Sequence, residues 1–248
     1  MQYRDLSIEK VADEYIVVAC DSSSGIGEKE HDVLTVPSLV MSAHCIRVPL
    51  MELLSIGAEP FLVVNVSGNE MNPTTKKYIQ GIRNELIKAG YPELPMNGST
   101  EENMETSMSS LGVTVLGRAT SNQMKWRSVQ AGDIIYQIGL PYVGEELISH
   151  FDDIVSYDDI KLLHQLRHSI TEIVPVGSKG SWNEAEQLAQ VNKLKFKKVL
   201  NNNLKAMCEK SAGPSTTIIV SASPNIESKL REYFKHVFII GEMEELDE

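Results

Sequence analysis

Short apolar runs of strand length alternate with longer stretches of helical period along this chain. Tyr15 to Cys20 (YIVVAC) predicts a buried strand ending at Asp21, followed by a Ser/Gly-rich loop from Ser22 to Glu28. Ser38 to Ile56 repeats with the helical period, with Pro49 as an internal kink or break, and Gly57-Ala58-Glu59-Pro60 ends it. Phe61 to Val66 predicts a second strand. Thr74 to Ala89 predicts a helix closed by Gly90 and Pro92. A loop from Pro95 to Thr106 leads into a strand from Leu111 to Leu116.

The polar stretch from Asn122 to Arg127 predicts a boundary between domains 1–125 and 126–248. Beyond it, Ile134 to Gly139, Ile170 to Val176, Thr216 to Ser221 and His236 to Ile240 read as strands. Val143 to His150, Asp158 to His168, Trp182 to Gln190 and the segment capped near Ser223-Pro224 read as helices. The class is α+β or α/β in two domains, without short repeats.

The 248 residues, 42% hydrophobic and 23% charged, suit a soluble globular protein of one large or two modest domains. A net charge of −11 argues against a nucleic-acid partner, which requires a basic surface, but permits local ATP binding through Mg²⁺ and backbone amides. Cys20, Cys45 and Cys208 form neither a disulfide framework nor a zinc site, as expected in a reducing cytoplasm. Met1 to Asp5 lacks the apolar core of a signal peptide, and no uninterrupted apolar run approaches membrane-spanning length. The expectation is a cytoplasmic protein without a membrane partner. The acidic stretch from Glu242 to Glu248 reads as a solvated end.

The densest chemistry is Asn97-Gly98-Ser99-Thr100-Glu101-Glu102-Asn103. Such a loop can offer amides and hydroxyls to phosphate, with carboxylates to hold Mg²⁺ beside it. The same residues also suit an exposed polar hairpin loop. Neither a P-loop nor a G-x-G-x-x-G fingerprint is present.

Several pieces in order resemble the aminoimidazole ribonucleotide synthetase (PurM-like) superfamily, which includes thiamine-monophosphate kinase, selenophosphate synthetase and formylglycinamidine synthetase. They are the strand ending at Asp21, a Gly/Ser loop with Lys29, a helix ending in Gly57 to Pro60, Gly98-Ser99-Thr100, and Gly112 to Gly117. The motifs DSxxGIGEKExD (Asp21 to Asp32), RVxLMExLxxGAEP (Arg47 to Pro60), NGSTEEN (Asn97 to Asn103) and PVGSKG (Pro175 to Gly180) are similar to a Firmicute-type, synthetase-related branch. The resemblance implies a two-domain subunit that dimerises through its N-terminal mixed sheet, with a smaller C-terminal α/β domain. It further implies ATP and Mg²⁺ as cofactors, and kinase action on α-ribazole, a nucleoside-like small molecule, in cobalamin lower-ligand salvage. Two departures stand out. The family's Asn-Asp before GAEP is Met51-Glu52 here, and its Gly-Gly-Asp/Glu-Thr is Asn97-Gly98-Ser99-Thr100.

The resemblance makes Asp21, Glu52 and Asp5 metal ligands. Read alone, Asp21 is equally an Asx-turn residue, and Glu52 a partner for Arg47. Gly25 and Gly27 would let the backbone approach phosphate, and Lys29 would supply a charge unless it lies in a solvated charged loop. Gly98, Ser99, Thr100 and Asn103 would contact nucleotide, with Glu101 and Glu102 as catalytic carboxylates. Ser178 and Lys179 precede a helix N-terminus, either an anion site or a plain turn with Ser181 as N-cap. His164 and His168 read as an exposed helical pair, and Cys20 as a small core residue. Together these readings predict an ATP–Mg²⁺-dependent kinase acting as a homodimer. The alternatives are an ATP-dependent synthetase or dehydratase, and a non-catalytic nucleotide-binding regulatory protein.

Overall fold

A computed structural model describes residues 1–246. In chain order its first half holds β1 (Gln2–Tyr3), β2 (Leu6–Val11), β3 (Glu14–Ser24), β4 (Ile26–Gly27), β5 (Leu34–Thr35), α1 (Ser38–Ile56), β6 (Glu59–Ser67), α2 (Lys76–Ala89), β7 (Met96–Ser99) and β8 (Ser110–Thr120). The second half holds β9 (Ile134–Ile138), α3 (Glu145–Ile148), α4 (Tyr157–Gln165), β10 (Ile170–Pro175), α5 (Ser181–Val191), β11 (Lys195–Lys198), α6 (Asn202–Cys208), β12 (Ile218–Ala222), α7 (Glu227–Tyr233) and β13 (Val237–Glu244). Two compact units result. The first comprises Met1, Asp5–Leu54 and Ala58–Asn122; the second comprises Gln2–Arg4, Ser55–Gly57 and the chain from Gln123 onward.

The sheet of the first unit is mixed and runs β2-β3-β8-β6-β7. β8 is antiparallel to both β3 and β6, whereas β7 joins β6 in parallel after the α2 crossover. The register aligns Asp21 with Val113, Val113 with Asn65, and Asn65 with Gly98, so these four positions face one side of the sheet. On that side Val17, Ala19, Val113, Val115 and Val63 are buried. A Cβ at Gly117, on the same face, would touch Leu53 of α1, which places α1 against this side. The opposite face carries Ile16, Val18, Leu62, Val64 and Leu116 half-buried, and Val66 exposed.

α1 passes Pro49 without interruption. By length and composition alone it could cross a membrane. Here Ile46, Leu50, Met51 and Leu53 are fully buried, so it is packed as a core helix. α2 ends as predicted on Gly90, left-handed at φ 91°, whose amide donates to Ile87. Between the two helices, buried Arg47 and Glu85 pair at 3.8 Å. Burial, then the Arg47 charge, push the neighbouring His44 down to about 4, against the pull of Glu85. An unfolded chain therefore takes up this proton near pH 6.5 and the folded chain only near 4. The His44 contribution is intact above pH 6.5 and drains away as pH falls toward 4, by up to about 3 kcal/mol. Urea unfolding at pH 7 and 4.5 checks this: His44→Gln should lose distinctly less stability between the two than wild type.

The second unit is an antiparallel sheet, β10-β12-β9-β13-β11. α5 lays Trp182, Ala185 and Leu188 on Val174, Ile219 and Ile240, and the Trp182 indole donates to the Ile240 carbonyl at 3.2 Å. Fully buried Gln137 takes the Ser181 hydroxyl at 2.6 Å and the Cys208 thiol at 3.8 Å, and donates to the Gly139 carbonyl at 3.2 Å.

Several expectations are corrected. β3 does not end at Asp21; the ladder continues to the Ser24–Ser110 pair because β8 offers a partner for every residue. Asn97 to Ser99 are not loop but strand, held in parallel to Val64–Val66 despite poor β-formers. Gly180 is the N-cap of α5, since the Ser181 hydroxyl is spent on Gln137. Cys20 is exposed on the strand, not a core residue. Glu242 to Glu244 belong to β13, pairing with β11; Asp247 and Glu248 lie outside the described residues. β2, β11 and α6 had no counterpart in the predicted elements.

Candidate functional site

Three segments leave the same end of the first sheet: residues 25–33 after β3, 68–75 after β6, and 100–109 between β7 and β8. Gly25 turns with φ 72°, donates to the Ser109 carbonyl at 2.9 Å and accepts from Val33 at 2.7 Å. Gly27 follows in β4, paired with Thr35. Asp32 closes the segment. It accepts from the Lys29 amide at 2.8 Å, the Ser109 amide at 2.8 Å and the Ser109 hydroxyl at 2.7 Å.

Lys29 is not a solvated charge. Its Nζ lies 2.9 Å from Glu70 Oε2 and 2.9 Å from the Thr106 carbonyl, tying all three segments together. Burial acts to raise the Glu70 pKa, but the Thr74 hydroxyl and Lys29 outweigh it and hold it at about 2. Glu28 accepts from the Ser38 amide at 3.0 Å and from Lys77, so it caps the start of α1. The Ser38 amide and hydroxyl, then Lys77, lower its pKa to about 2.

In the third segment Glu102 Oε1 accepts from the Met71 amide and the Thr100 hydroxyl, both at 2.8 Å. Glu101 Oε1 accepts from the amides of Asn103 at 2.7 Å and Met104 at 3.1 Å. Each carboxylate therefore spends one oxygen on shaping the loop. Gly98 lies where a Cβ would stand 2.3 Å from the Asn65 carbonyl oxygen, so this position is glycine because β6 and β7 approach closely. Ser99 is exposed on β7.

Asp21 sits inside β3, half-buried on the helix side; burial raises its pKa, opposed by the Ser22 amide. Asp5 is exposed just before β2, whose Ser7 pairs with Val18. Glu52 is buried on α1, seven residues, or about 10 Å of helix, beyond Cys45, which contacts the Leu111 carbonyl at the loop end. Asp5, Asp21 and Glu52 are thus not gathered: among the described residues no three His, Cys, Asp or Glu side chains stand ready to hold one metal ion. Ser178 and Lys179 are exposed ahead of α5 in the second unit. His164 and His168 are split, for α4 ends at Gln165.

The sequence reading missed Asn69, Glu70, Thr106 and Asp32. Asn69 and Glu70 stand in a Ser/Gly/Asn/Pro-rich turn, a pattern of a connector, and the partners that tie them to the acidic loop, Thr106 and Met108, are more than thirty residues away.

No family model matches the chain, and no curated protein does. Solved structures do. Thiamine-monophosphate kinase from Stenotrophomonas maltophilia is 15% identical at a TM-score of 0.66, with 98% of this chain and 90% of that one covered. AaThiL complexed with AMPPCP and TMP is 13% identical at 0.68, covering 98% and 85%. T. maritima PurL complexed with AMPPCP is 13% identical at 0.67, covering 96% of this chain but 42% of that one. The chain shares the mixed α/β fold of these proteins.

Proposed function

We propose that this protein is an ATP- and Mg²⁺-dependent small-molecule kinase, acting on the 5′-hydroxyl of α-ribazole in cobalamin lower-ligand salvage. The observation that carries the kinase reading is coverage. The chain matches thiamine-monophosphate kinases over 85 to 90% of their length, and AaThiL was solved with AMPPCP bound, whereas the chain spans less than half of PurL; a chain of the HypE–HypF complex is matched over 87% of its length. The α-ribazole acceptor rests on the resemblance of the four motifs.

Phosphates would lie against the loop end of the first sheet, beside the side-chain-free Gly25 and Gly27 and at the Ser99 hydroxyl, with the Thr100 hydroxyl exchanging Glu102 for phosphate. Lys29, exchanging Glu70 for a phosphate, would balance charge there. Ser178 and Lys179, ahead of α5, would contact phosphate at that helix N-terminus. The residues fit a magnesium ion that arrives with the polyphosphate better than one caged by protein, since such an ion needs only one or two carboxylates. Asp21 together with the second oxygen of either Glu101 or Glu102 would hold it, and bound there it neutralises phosphate charge. Asp5 and Glu52 would act through other ligands of the ion. Either Glu101 or Glu102 would take the proton of the acceptor hydroxyl. The half-exposed apolar face around Val64 and Leu116 would pair with a second copy, giving the homodimer.

Phosphorus NMR of the protein with ATP, Mg²⁺ and α-ribazole tests this. A new phosphomonoester with stoichiometric ADP is expected, falling by about a hundredfold or more in Glu102→Gln or Asp21→Ala. Sedimentation of the same sample should give a dimer. Free phosphate with a condensed product would replace the kinase by a synthetase. ATP binding without turnover would sink the catalytic reading.

A further inference from the structure

We propose that Asn69 is the positioning residue of this site: it fastens the 100–109 loop, and with it Glu101 and Glu102, to the end of the sheet. The inference rests on the nucleotide reading of that loop. Asn69 is fully buried, and its amide is saturated. Nδ2 donates to the Thr106 hydroxyl at 2.8 Å and the Met108 carbonyl at 2.9 Å. Oδ1 accepts from the Tyr78 hydroxyl at 2.9 Å and the Ser110 amide at 2.8 Å. A carbonyl can only accept and an amide N–H can only donate, so Met108 and Ser110 fix which way the side chain points. The Asn69 carbonyl accepts from the Glu101 amide at 3.1 Å and from the hydroxyls of Ser67 and Thr75, at 3.3 and 3.1 Å. One residue thus joins β6, α2, β8 and both ends of the acidic loop.

A second tether runs beside it, the Lys29–Glu70 pair with Thr106, and the two differ in kind. The ion pair is partly exposed, at 17% and 29% of its side chains, so a phosphate can compete for Lys29. The Asn69 amide is neutral and dry, and a phosphate has nothing to exchange with it. When Lys29 turns to a ligand, Asn69 is what keeps Glu101 and Glu102 in place.

Asn69→Asp separates these roles, because it keeps the oxygen that Tyr78 and Ser110 use and loses both donations to the loop. Hydrogen exchange on folded protein should show the amides of Glu101, Asn103 and Met104 opening about tenfold faster, with the second unit unchanged. Calorimetric titration with Mg-ATP should weaken about tenfold, and Thr106→Val should fall between. Unchanged loop protection in folded Asn69→Asp, or a loosened loop with wild-type affinity, would overturn the inference. Should Asn69→Asp fail to fold, Thr106→Val decides by the same two readouts. Wild-type protein that takes up no Mg-ATP overturns the nucleotide reading and the inference together, whereas affinity lost only in the variants supports both.

Discussion

Gly98→Ala is expected to cost about tenfold or more in Mg-ATP affinity while leaving the bulk of the fold standing. The added Cβ would stand 2.3 Å from the Asn65 carbonyl oxygen, 2.6 Å from its Nδ2 and 2.7 Å from its Cγ. The carbonyl belongs to a strand held on its other side by β8, so it cannot yield. The edge strand β7 moves instead, carrying Ser99, Thr100 and the acidic loop away from the other two segments. Overpacking of this size costs about 1–3 kcal/mol in stability, and the misplaced loop costs affinity. Gly112→Ala, two strands over on β8, is the control. Its Cβ would find only the Val66 carbonyl at 3.8 Å, an ordinary contact, and both readouts should hold near wild type. Calorimetric titration and thermal unfolding of the two variants decide the matter. Equal affinities would mean that β7 carries no part of the ligand site.

Gly81→Ala should lower stability, against what helix propensity alone suggests. In the middle of α2, replacing glycine by alanine favours the helix by about 1 kcal/mol. Here the Cβ would lie 2.1 Å from the Leu39 carbonyl oxygen and 2.2 Å from the Ser42 hydroxyl, both on α1. The hydroxyl can rotate; the backbone carbonyl cannot, so the helices must part. Parting them strains the Arg47–Glu85 pair and the buried Tyr78, Ile82 and Leu86. The packing cost exceeds the propensity gain, for a net loss of about 2 kcal/mol, or roughly 5 °C in melting temperature for a chain of this size. A melting temperature that rises instead would show that α1 and α2 can separate freely.

How much of this was legible in the sequence depended on whether a residue's partners lie nearby. α1 and α2 were legible because their period is long and glycine stops are local. The centre of β3 was legible because Ile16 to Ala19 are apolar; its polar end was not, since Asp21 to Ser24 are extended only because β8 pairs with them. The same holds for Asn97 to Ser99, whose composition says turn and whose neighbour Val64 to Val66 says strand. β11, rich in lysine, is an edge strand in which Lys195 and Lys197 face solvent and Lys198 lies over the Trp182 ring where an apolar residue would stand, so no apolar alternation marks it. In the candidate site the carboxylates and glycines were visible as a motif. The groups that hold them, Asn69, Glu70 and Asp32, were not, because a buried polar side chain is defined by partners across the sheet and leaves no local pattern.

The strand order of the first unit also bears on how the chain is made. β8 lies between β3 and β6, yet it is the last of the three to be synthesised. Until Ser110 to Thr120 emerge from the ribosome, the inner edges of β3 and β6 have no partner. Both are free to pair with each other in a wrong sheet or with another nascent chain. The three segments of the candidate site cannot meet before that central strand is inserted. Nucleotide capture during synthesis would therefore report that insertion had occurred, and a chain stopped at Ala89 should show none.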